Sequence, residues 1–266
     1  MGNLLIAEPT LSDAASVTAT NASGTAPAFN LQTMQPKEIL EITNVSGTKT
    51  ITWDLGAGAS YDFFALLFTN LTASATWTIQ TDDNSGFLSP TTVLASTTFR
   101  APGQNVFGIT RAHGFYKHAS TLTEQYARMQ LVDGSNPDGV MRIGRGYVVP
   151  AWRVDGDYGL IAGFVDEAPF EETPHGERIH LQREPIPKIQ IPLSLDGASA
   201  WNTLQANLHL LFLRRGASRD VIVITDPEDT GHSGRLVHYG TLQQQLAYSY
   251  DAFQVYRSTL EVRGLI

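Results

Sequence analysis

The sequence has no cysteine, only four lysines among its 266 residues, and 17% charged residues, whereas soluble proteins carry about 25%. The absence of cysteine excludes a disulfide framework, a thiolate metal site and a cysteine nucleophile. A net charge of −8 argues against a general nucleic-acid binder, because such proteins need a basic surface. The cations are mainly arginine, which is enriched at protein interfaces while lysine is depleted. This bias points to an assembling protein, although a GC-rich genome produces the same bias.

Long hydrophobic runs are also missing. The first residues have no basic segment, and their apolar run, Leu4–Ala7, has four residues; the longest run elsewhere is Phe63–Phe68. Both are too short for the hydrophobic region of a signal peptide or for a membrane span. We therefore expect a soluble protein that is made in the cytoplasm and does not insert into membranes.

The first half of the chain shows short strand patterns separated by turns, which predicts a β-sandwich. Residues 10–30 have the composition of a loop or weak edge strand rather than a helix. Lys49–Leu55 alternates, and the continuous apolar run Phe63–Phe68 predicts a strand buried on both faces. Asp82–Gly86 predicts a tight turn. The predicted strands of this half are Glu38–Thr43, Lys49–Leu55, Phe63–Phe68, Thr76–Thr81, Thr91–Phe99, Asn105–Thr110, Gln125–Val132 and Met141–Val149.

The second half predicts a different domain. Residues 151–175 contain prolines, glycines and an acidic pair, as a linker or extended arm does. Residues 199–214 predict the one helix, with Ser199 as its N-cap and Gly216 just beyond its end. The predicted strands of this half are Glu177–Arg183, Lys188–Leu193, Asp220–Thr225, Arg235–Gly240, Thr241–Tyr250 and Phe253–Val262.

Four segments of the first half carry a family resemblance. Their order is Ile51–Gly56 (ITWDLG), Phe63–Asn70 (FFALLFTN), Tyr126–Leu131 (YARMQL) and Met141–Val149 (MRIGRGYVV). Over about residues 30–150 this order resembles the galactose-binding-like, discoidin-type jelly rolls. Such modules are often tied by a disulfide, and this chain departs from them in having no cysteine.

The second half has a resemblance of its own, over Trp201–Ile266. A barrel crossed by one helix and closed by a Tyr-x-x-x-Leu-x-h-x-Gly strand is similar to the tail-tube or distal-tail modules of long-tailed bacteriophages. The segment Asp226–Leu242 is similar to minor tail proteins. The resemblance implies a ring-forming structural subunit of the virion tail tip, synthesised in the host cytoplasm, whose partners are copies of itself and other tail proteins. Its jelly roll would then face host surface polysaccharide.

The predicted fold class is therefore mainly β. An N-terminal β-sandwich, or jelly roll, covers residues 1–150, and a linker covers 151–175. A C-terminal β-barrel-like domain with one α-helix covers 176–266. Barrel edges and the arm Ala168–Pro192 would pair with neighbouring subunits. The candidate inter-subunit salt-bridge residues are Arg214, Arg215, Arg219 and Arg235.

Candidate sugar-binding residues combine aromatic rings with planar polar groups in loops at one end of the sandwich. The alternative for Phe115 and Tyr116 is a core or interface position, and Trp53 and Trp77 fall on the buried phase of their strands. The candidate set is Arg111, His113, Phe115 and Tyr116, in a glycine-containing loop, with Asp82 and Asp83 of the predicted turn.

No constellation of residues predicts catalysis or a cofactor. His175 and His180, five residues apart, point to opposite faces of a strand. His232 and His238 lie near an acidic turn, but nothing in the sequence fixes a third metal ligand. Adjacent carboxylates on loops are typical of solvated surface. We therefore predict no catalytic residue, no metal and no cofactor.

Two functions follow from the sequence, and a third is disfavoured. The first is a structural virion protein of a phage tail tip that forms a ring and contacts host glycans. The alternative is a stand-alone carbohydrate-binding module, or an accessory domain of a cell-wall-active enzyme. A glycan hydrolase is disfavoured, because no pair of acids converges in the sequence.

Overall fold

The structure is a computed structural model that describes residues 2–99, 105–106, 109–110, 112–156, 159–166, 170–172, 175, 178–180, 185–196, 210–229, 236–243, 249–252 and 255–265. Its helical elements are α1 (Thr10–Ala14), the 3₁₀ helix η1 (Ala28–Gln32) and a helix over 210–215. The strands are β1 Gly2–Ala7, β2 Ser16–Ala19, β3 Leu40–Ile42, β4 Lys49–Asp54, β5 Tyr61–Thr69, β6 Thr76–Asp82, β7 Thr91–Thr98, β8 Asn105–Val106, β9 Ile109–Thr110, β10 Ala112–Leu122, β11 Tyr126–Val132, β12 Met141–Val149, β13 Ala151–Gly156, β14 Ile161–Val165, β15 Phe170–Glu172, β16 Arg178–His180, β17 Ile186–Asp196, β18 Asp220–Ile224, β19 Val237–Leu242, β20 Ser249–Ala252 and β21 Val255–Gly264.

Two antiparallel sheets form the predicted sandwich. The five-stranded sheet has the order β2-β4-β11-β6-β7 and the four-stranded sheet the order β10-β5-β12-β3. Alternation along β4 turns Ile51 and Trp53 into the core between the sheets, and Trp77 of β6 joins them. The mainly β fold class is thus confirmed, and both tryptophans lie in the core as predicted.

Six of the eight strands in the largest sheet close into a barrel. Their order is β17-β13-β1-β18-β19-β21, and β21 pairs again with β17, while β14 and β20 extend the sheet beyond the ring. The barrel interior is apolar and includes Leu4, Val223 and Leu260. Closure of the barrel brings β19 very near to β21. The close approach is evident at Gly240, where an added Cβ would lie 1.9 Å from the carbonyl oxygen of Arg263. Only glycine fits there without moving a backbone.

The first strand belongs to the barrel rather than to the sandwich. The predicted boundaries assigned residues 1–150 to the sandwich and 151–175 to a linker, but β1 pairs with β13 and β18. The sandwich is therefore inserted between two neighbouring barrel strands. The physical reason lies in the two faces of β1: Leu4 and Ile6 point into the barrel, and Leu5 and Ala7 face the sandwich.

The outer face of the four-stranded sheet packs on the barrel wall. Phe64 and Leu66 of β5 face the core of the sandwich, whereas Phe63 and Leu67 contact barrel residues such as Ile222. This confirms that the apolar run in β5 is buried on both faces. The outer face of the five-stranded sheet points away from the barrel, since the other sheet lies between them.

A buried ion pair joins the sandwich to the barrel, and a second ion-pair network holds the helix over 210–215 against the end of β1. Arg145 of β12 is fully buried and donates to Asp220 of β18, with its Nη2 2.9 Å from Oδ2. Glu8, which follows β1, accepts from Arg214 and Arg215 at 2.9 and 3.1 Å. The relative position of the two parts is thus set by charged contacts as well as by apolar packing.

Some local predictions differ from the structure. The segment 10–30 contains the predicted edge strand, β2, but also α1 and the start of η1, where no helix was predicted. The segment 105–110 forms two strands, β8 and β9, instead of one. Of the predicted helix 199–214, residues 210–214 are helical and 199–209 lie outside the described residues. In the described part of the chain, no helix has the length and apolar character needed to cross a membrane.

Candidate carbohydrate-binding site

The predicted sugar-binding residues that the structure describes do not converge on one site. Asp82 pairs with Tyr126, which in turn pairs with Asp54 at the end of β4. The next strand, β5, starts at this end and finishes at Thr69, which pairs with Ala112 at the other end. The acidic turn and the start of β10 therefore cannot share one ligand.

His113 and Phe115 have structural roles, so the structure contradicts their assignment to a sugar site. The segment predicted as a loop is the strand β10, and both side chains are buried. His113 accepts a hydrogen bond at Nδ1 from the Phe68 amide (3.2 Å), where Phe68 has a φ of 55°. Phe115 stacks on Phe63 between the sandwich and the barrel. Tyr116 is half-buried against the sandwich core, and Arg111 lies outside the described residues.

The acidic turn forms as predicted. Asp82 accepts the amides of Asn84 (3.0 Å) and Ser89 (3.1 Å), and Asn84 accepts the amide of Gly86 at 2.8 Å. These are the short-range side-chain bonds that Asx residues make in turns. Asp83 accepts the Gln125 amide at 3.1 Å, which ties the turn to the loop before β11.

Around Tyr126 the turn meets two other segments. The Gln125 side-chain amide donates to Asp54 Oδ1 at 2.8 Å and to the Tyr126 hydroxyl at 3.0 Å. Because this hydroxyl accepts from Gln125, its own hydrogen remains for another acceptor. We call this set the Tyr126 cluster; its members are Asp54, Asp82, Asp83, Gln125, Tyr126 and Arg128.

Arg128 supplies the cation of the cluster. Its Nε donates to Gln80 at 2.8 Å, and its guanidinium lies 4.1 Å from the ring centre of Phe87. Phe87 is held beneath it with a φ of 50°, at the end of the acidic turn. Burial lowers the pKa of Arg128 while Asp82 opposes that effect. The side chain stays charged, because an arginine pKa lies far above neutral pH.

The cluster is part of a larger polar sheet face. The register of the strands aligns a row of polar side chains across all five strands of the sheet, and alternation turns the intervening residues inward. A sheet face of hydroxyl, amide and guanidinium groups is suited to an extended polar ligand. The row is Thr18, Thr52, Arg128, Gln80 and Thr92.

Tyr126, Gln125 and Arg128 were not predicted as site residues. The strand β11, which carries Tyr126 and Arg128, was considered only for its resemblance to a family. Its alternation nevertheless indicates which of its side chains face solvent. Ala127 and Met129 are buried, so Tyr126 and Arg128 had to lie on the opposite, solvent-facing side.

Two of the arginines predicted at a subunit interface have a partner within the chain, and the structure does not test the other two. Arg215 is buried and donates to Glu8 and Thr10, so it is used within the chain, contrary to the prediction. Arg214 also pairs with Glu8. Arg219 is exposed, and Arg235 lies outside the described residues. Within the described ranges, no three histidine or acidic side chains are placed to hold a metal ion.

Comparison with models of known protein families gives no match, and neither does comparison with characterised sequences. Among solved structures, the chain is similar to chitosan-binding module 1 of a chitosanase/glucanase from Paenibacillus sp. IK-5 (19% identity, TM-score 0.42), covering 53% of this chain and 97% of that one. It is also similar to the family 32 carbohydrate-binding module of C. perfringens NanJ, in complex with galactose, with 15% identity and a TM-score of 0.41. That match covers 56% of this chain and 99% of the module.

A third similarity is to an enzyme, the Ruminococcus gnavus GH29 fucosidase in complex with fucose, with 13% identity and a TM-score of 0.40. It covers 52% of this chain and 25% of the fucosidase, so the chain spans about a quarter of that enzyme. These neighbours are carbohydrate-binding modules or a glycosidase, and each match covers little more than half of this chain.

Proposed function

We propose that this protein binds a carbohydrate at the Tyr126 cluster without altering it chemically. The observation that carries the proposal is the position of Tyr126 between Asp54 and Asp82, on the sheet face that points away from the barrel. A half-buried tyrosine presents an apolar ring surface and a polar hydroxyl together. Sugars present the same combination, with C–H faces and hydroxyl edges.

The polar groups of the cluster match a polyhydroxylated ligand. Asp82 uses one lone pair on each oxygen for the amides of its turn, and each carboxylate oxygen can accept a further hydrogen. Arg128 and the Tyr126 hydroxyl act as donors. The cluster thus offers donors and acceptors side by side on one surface, as hydroxyl groups require.

The cluster is also held in place before any ligand arrives. Gln125 joins three acceptors, Asp54, Asp83 and Tyr126, through its side-chain and backbone amides. Pre-organisation of this kind reduces the ordering cost of binding. It therefore favours useful affinity from a small contact area.

The same geometry argues against hydrolysis. Asp54 and Asp82 lie on either side of β11, about 10 Å apart by strand spacing, on an open sheet rather than in a cleft. Both carboxylates already accept bonds from their own loops. Glycosidases instead place one acid on each side of a sugar held in a cleft, about 5–9.5 Å apart.

The test is binding to an array of neutral, amino-sugar and acidic polysaccharides, followed by calorimetry on those that bind. We expect Tyr126→Ala to weaken binding about tenfold or more, the loss of roughly 1.4 kcal/mol, and Tyr126→Phe to weaken it less. Arg142→Ala, at the opposite end of the sandwich, is the control and should leave affinity unchanged. Absence of binding to every glycan would refute the proposal, and cleavage of a bound glycan would refute its non-catalytic part.

A second candidate function is that of a structural subunit of a bacteriophage tail tip, which forms a ring and contacts other tail proteins. The six-stranded closed barrel and its extension by β14 and β20 favour it, together with the resemblance of residues 201–266 to tail proteins. Gold-labelled antibody against this chain should then mark one end of the virion tail. Unlabelled virions, from cells that produce the chain, would refute this role and leave the glycan proposal untouched.

A further inference from the structure

The strand β14 has one open edge. It pairs with β17 along Ile161–Val165, and in the described part of the chain no strand pairs with its other side. An open edge presents unpaired N–H and C=O groups, which proteins usually protect with lysine, proline or a β-bulge. The segment Ile161–Val165 has none of these devices, and its pairing with β17 is regular.

The side chains of this edge are apolar and exposed. Ile161 is 62% exposed and Phe164 70%, and the preceding Leu160 is 43% exposed. Ile161, Phe164 and the neighbouring Lys188 line a shallow groove of about 220 Å³. An apolar side-chain surface and a free backbone edge thus occur on the same strand, which favours a β-strand as the occupant.

We propose that β14 pairs antiparallel with β14 of a second copy of this chain, about a two-fold axis at Gly163. This register places Ala162 opposite the partner's Phe164, and Ile161 opposite the partner's Val165. Each phenylalanine therefore meets an alanine rather than another large ring. The strand is complementary to itself, as an isologous interface requires.

Two further features favour a second copy. At Gly163, on the axis, a Cβ would have no atom within 4 Å, so nothing in the described chain covers the sheet face there. The segment Ile161–Val165 carries no charge, and the nearest cation, Lys188, pairs with Glu261 at 2.7 Å. Two copies can thus meet at β14 without opposing unpaired like charges.

The absence of cysteine from the chain allows a direct test. In an antiparallel pair, directly opposite Cα atoms lie about 4.5–5.5 Å apart, within the span of about 4.4–6.8 Å that a disulfide bridges. Gly163→Cys should therefore cross-link to itself under mild oxidation, giving a covalent dimer of twice the 29.0 kDa chain. Ser218→Cys, exposed in the turn after the helix, is the matched control and should form no covalent dimer.

The register and the energetics give two independent readouts. Ile161→Cys mixed with Val165→Cys should form the mixed disulfide, and neither variant alone should form a disulfide-linked dimer. In the cysteine-free chain, Phe164→Lys should raise the dimer dissociation constant, measured by sedimentation, at least about tenfold, because the two-fold axis doubles each substitution.

The proposal fails if Gly163→Cys cross-links no more than Ser218→Cys, or if the chain is monomeric at every concentration. A dimer that is unaffected by Phe164→Lys also refutes it. A chain whose β14 receives a strand of another protein would give the monomeric result. Glycan binding by Phe164→Lys separates the two proposals, because the Tyr126 cluster lies on the sandwich and should bind normally in this variant.

Discussion

Replacement of Arg145 by methionine should be among the most damaging single changes in this protein. The guanidinium has no solvent contact, and it bonds Asp220 of the barrel, the Leu31 carbonyl oxygen (2.9 Å) and Asp13 (3.0 Å). Methionine preserves most of the side-chain length and removes every one of these donors. Asp220, which is 3% exposed, would then keep the Tyr147 hydroxyl as a donor but would lose the cation that balances its buried charge.

The size of the effect follows from that stranded carboxylate. Removal of one partner of a buried ion pair costs about 3–5 kcal/mol, and loss of the bond to Leu31 adds about 1 kcal/mol. Whole domains are stable by only about 5–15 kcal/mol. Arg142, three residues earlier on the same strand, provides the comparison, because its contacts with Glu41 and Asp138 are largely exposed. Arg142→Met should cost no more than about 1 kcal/mol.

Urea unfolding followed by tryptophan fluorescence measures both variants, since Trp53 and Trp77 report the sandwich and Trp152 the barrel. The double variant Arg145→Met/Asp220→Asn removes the unpaired charge and should recover part of the loss. The reasoning is refuted if Arg145→Met costs no more than Arg142→Met. It is also refuted if the stability lost by the double variant equals the sum of the losses of Arg145→Met and Asp220→Asn alone. Residues that interact directly should not be additive in this way.

Two further variants test the barrel. Gly240→Ala should lower the urea midpoint, because the added methyl group would drive β19 and β21 apart. Gly134→Ala is the control, since an added methyl group there meets open space. Equal midpoints for the two variants would refute the close approach. Burial lowers the pKa of His238 to about 4, so the folded state binds fewer protons than the unfolded state between pH 4 and 6.5. Stability should therefore fall as pH drops through that range, by at most about 3 kcal/mol. His238→Asn should lose less stability than the parent over the same range, and an equal loss in variant and parent would contradict this.

Alternation and run length predicted much of the fold. The alternating β4 and the continuous apolar β5 were both interpreted correctly, since burial on one or two faces leaves a direct trace in the sequence. The acidic turn at Asp82 was equally readable, because its Asx bonds are local. The apolar runs Leu4–Ala7 and Val221–Ile224 are buried on both faces and form part of the barrel wall. An apolar run does not show, however, which strand it pairs with. Pairing of β1 with strands about 150 and 220 residues later depends on topology.

The site was predicted less well than the fold for the same reason. His113 and Phe115 have the chemistry of a sugar site, but a second layer of apolar packing on the four-stranded sheet buries them. Arg215 was predicted at a subunit interface and Arg145 was quoted only within a family segment, and their partners Glu8 and Asp220 are distant in sequence. Long-range charge pairs of this kind leave no periodic signal. Tyr126, by contrast, lies on a strand whose alternation already placed it outward.

The insertion of the sandwich between β1 and β13 has a consequence for biosynthesis. Ala7 emerges from the ribosome well before its partner Ala151, a delay of roughly 7–30 s at a synthesis rate of about 5–20 residues per second. All nine strands of the two sandwich sheets are made within that interval. The outer face of the four-stranded sheet, against which Leu5 and Ala7 finally pack, is therefore available first. We expect this face to hold the opening strand of the barrel until its hydrogen-bonding partners have been synthesised.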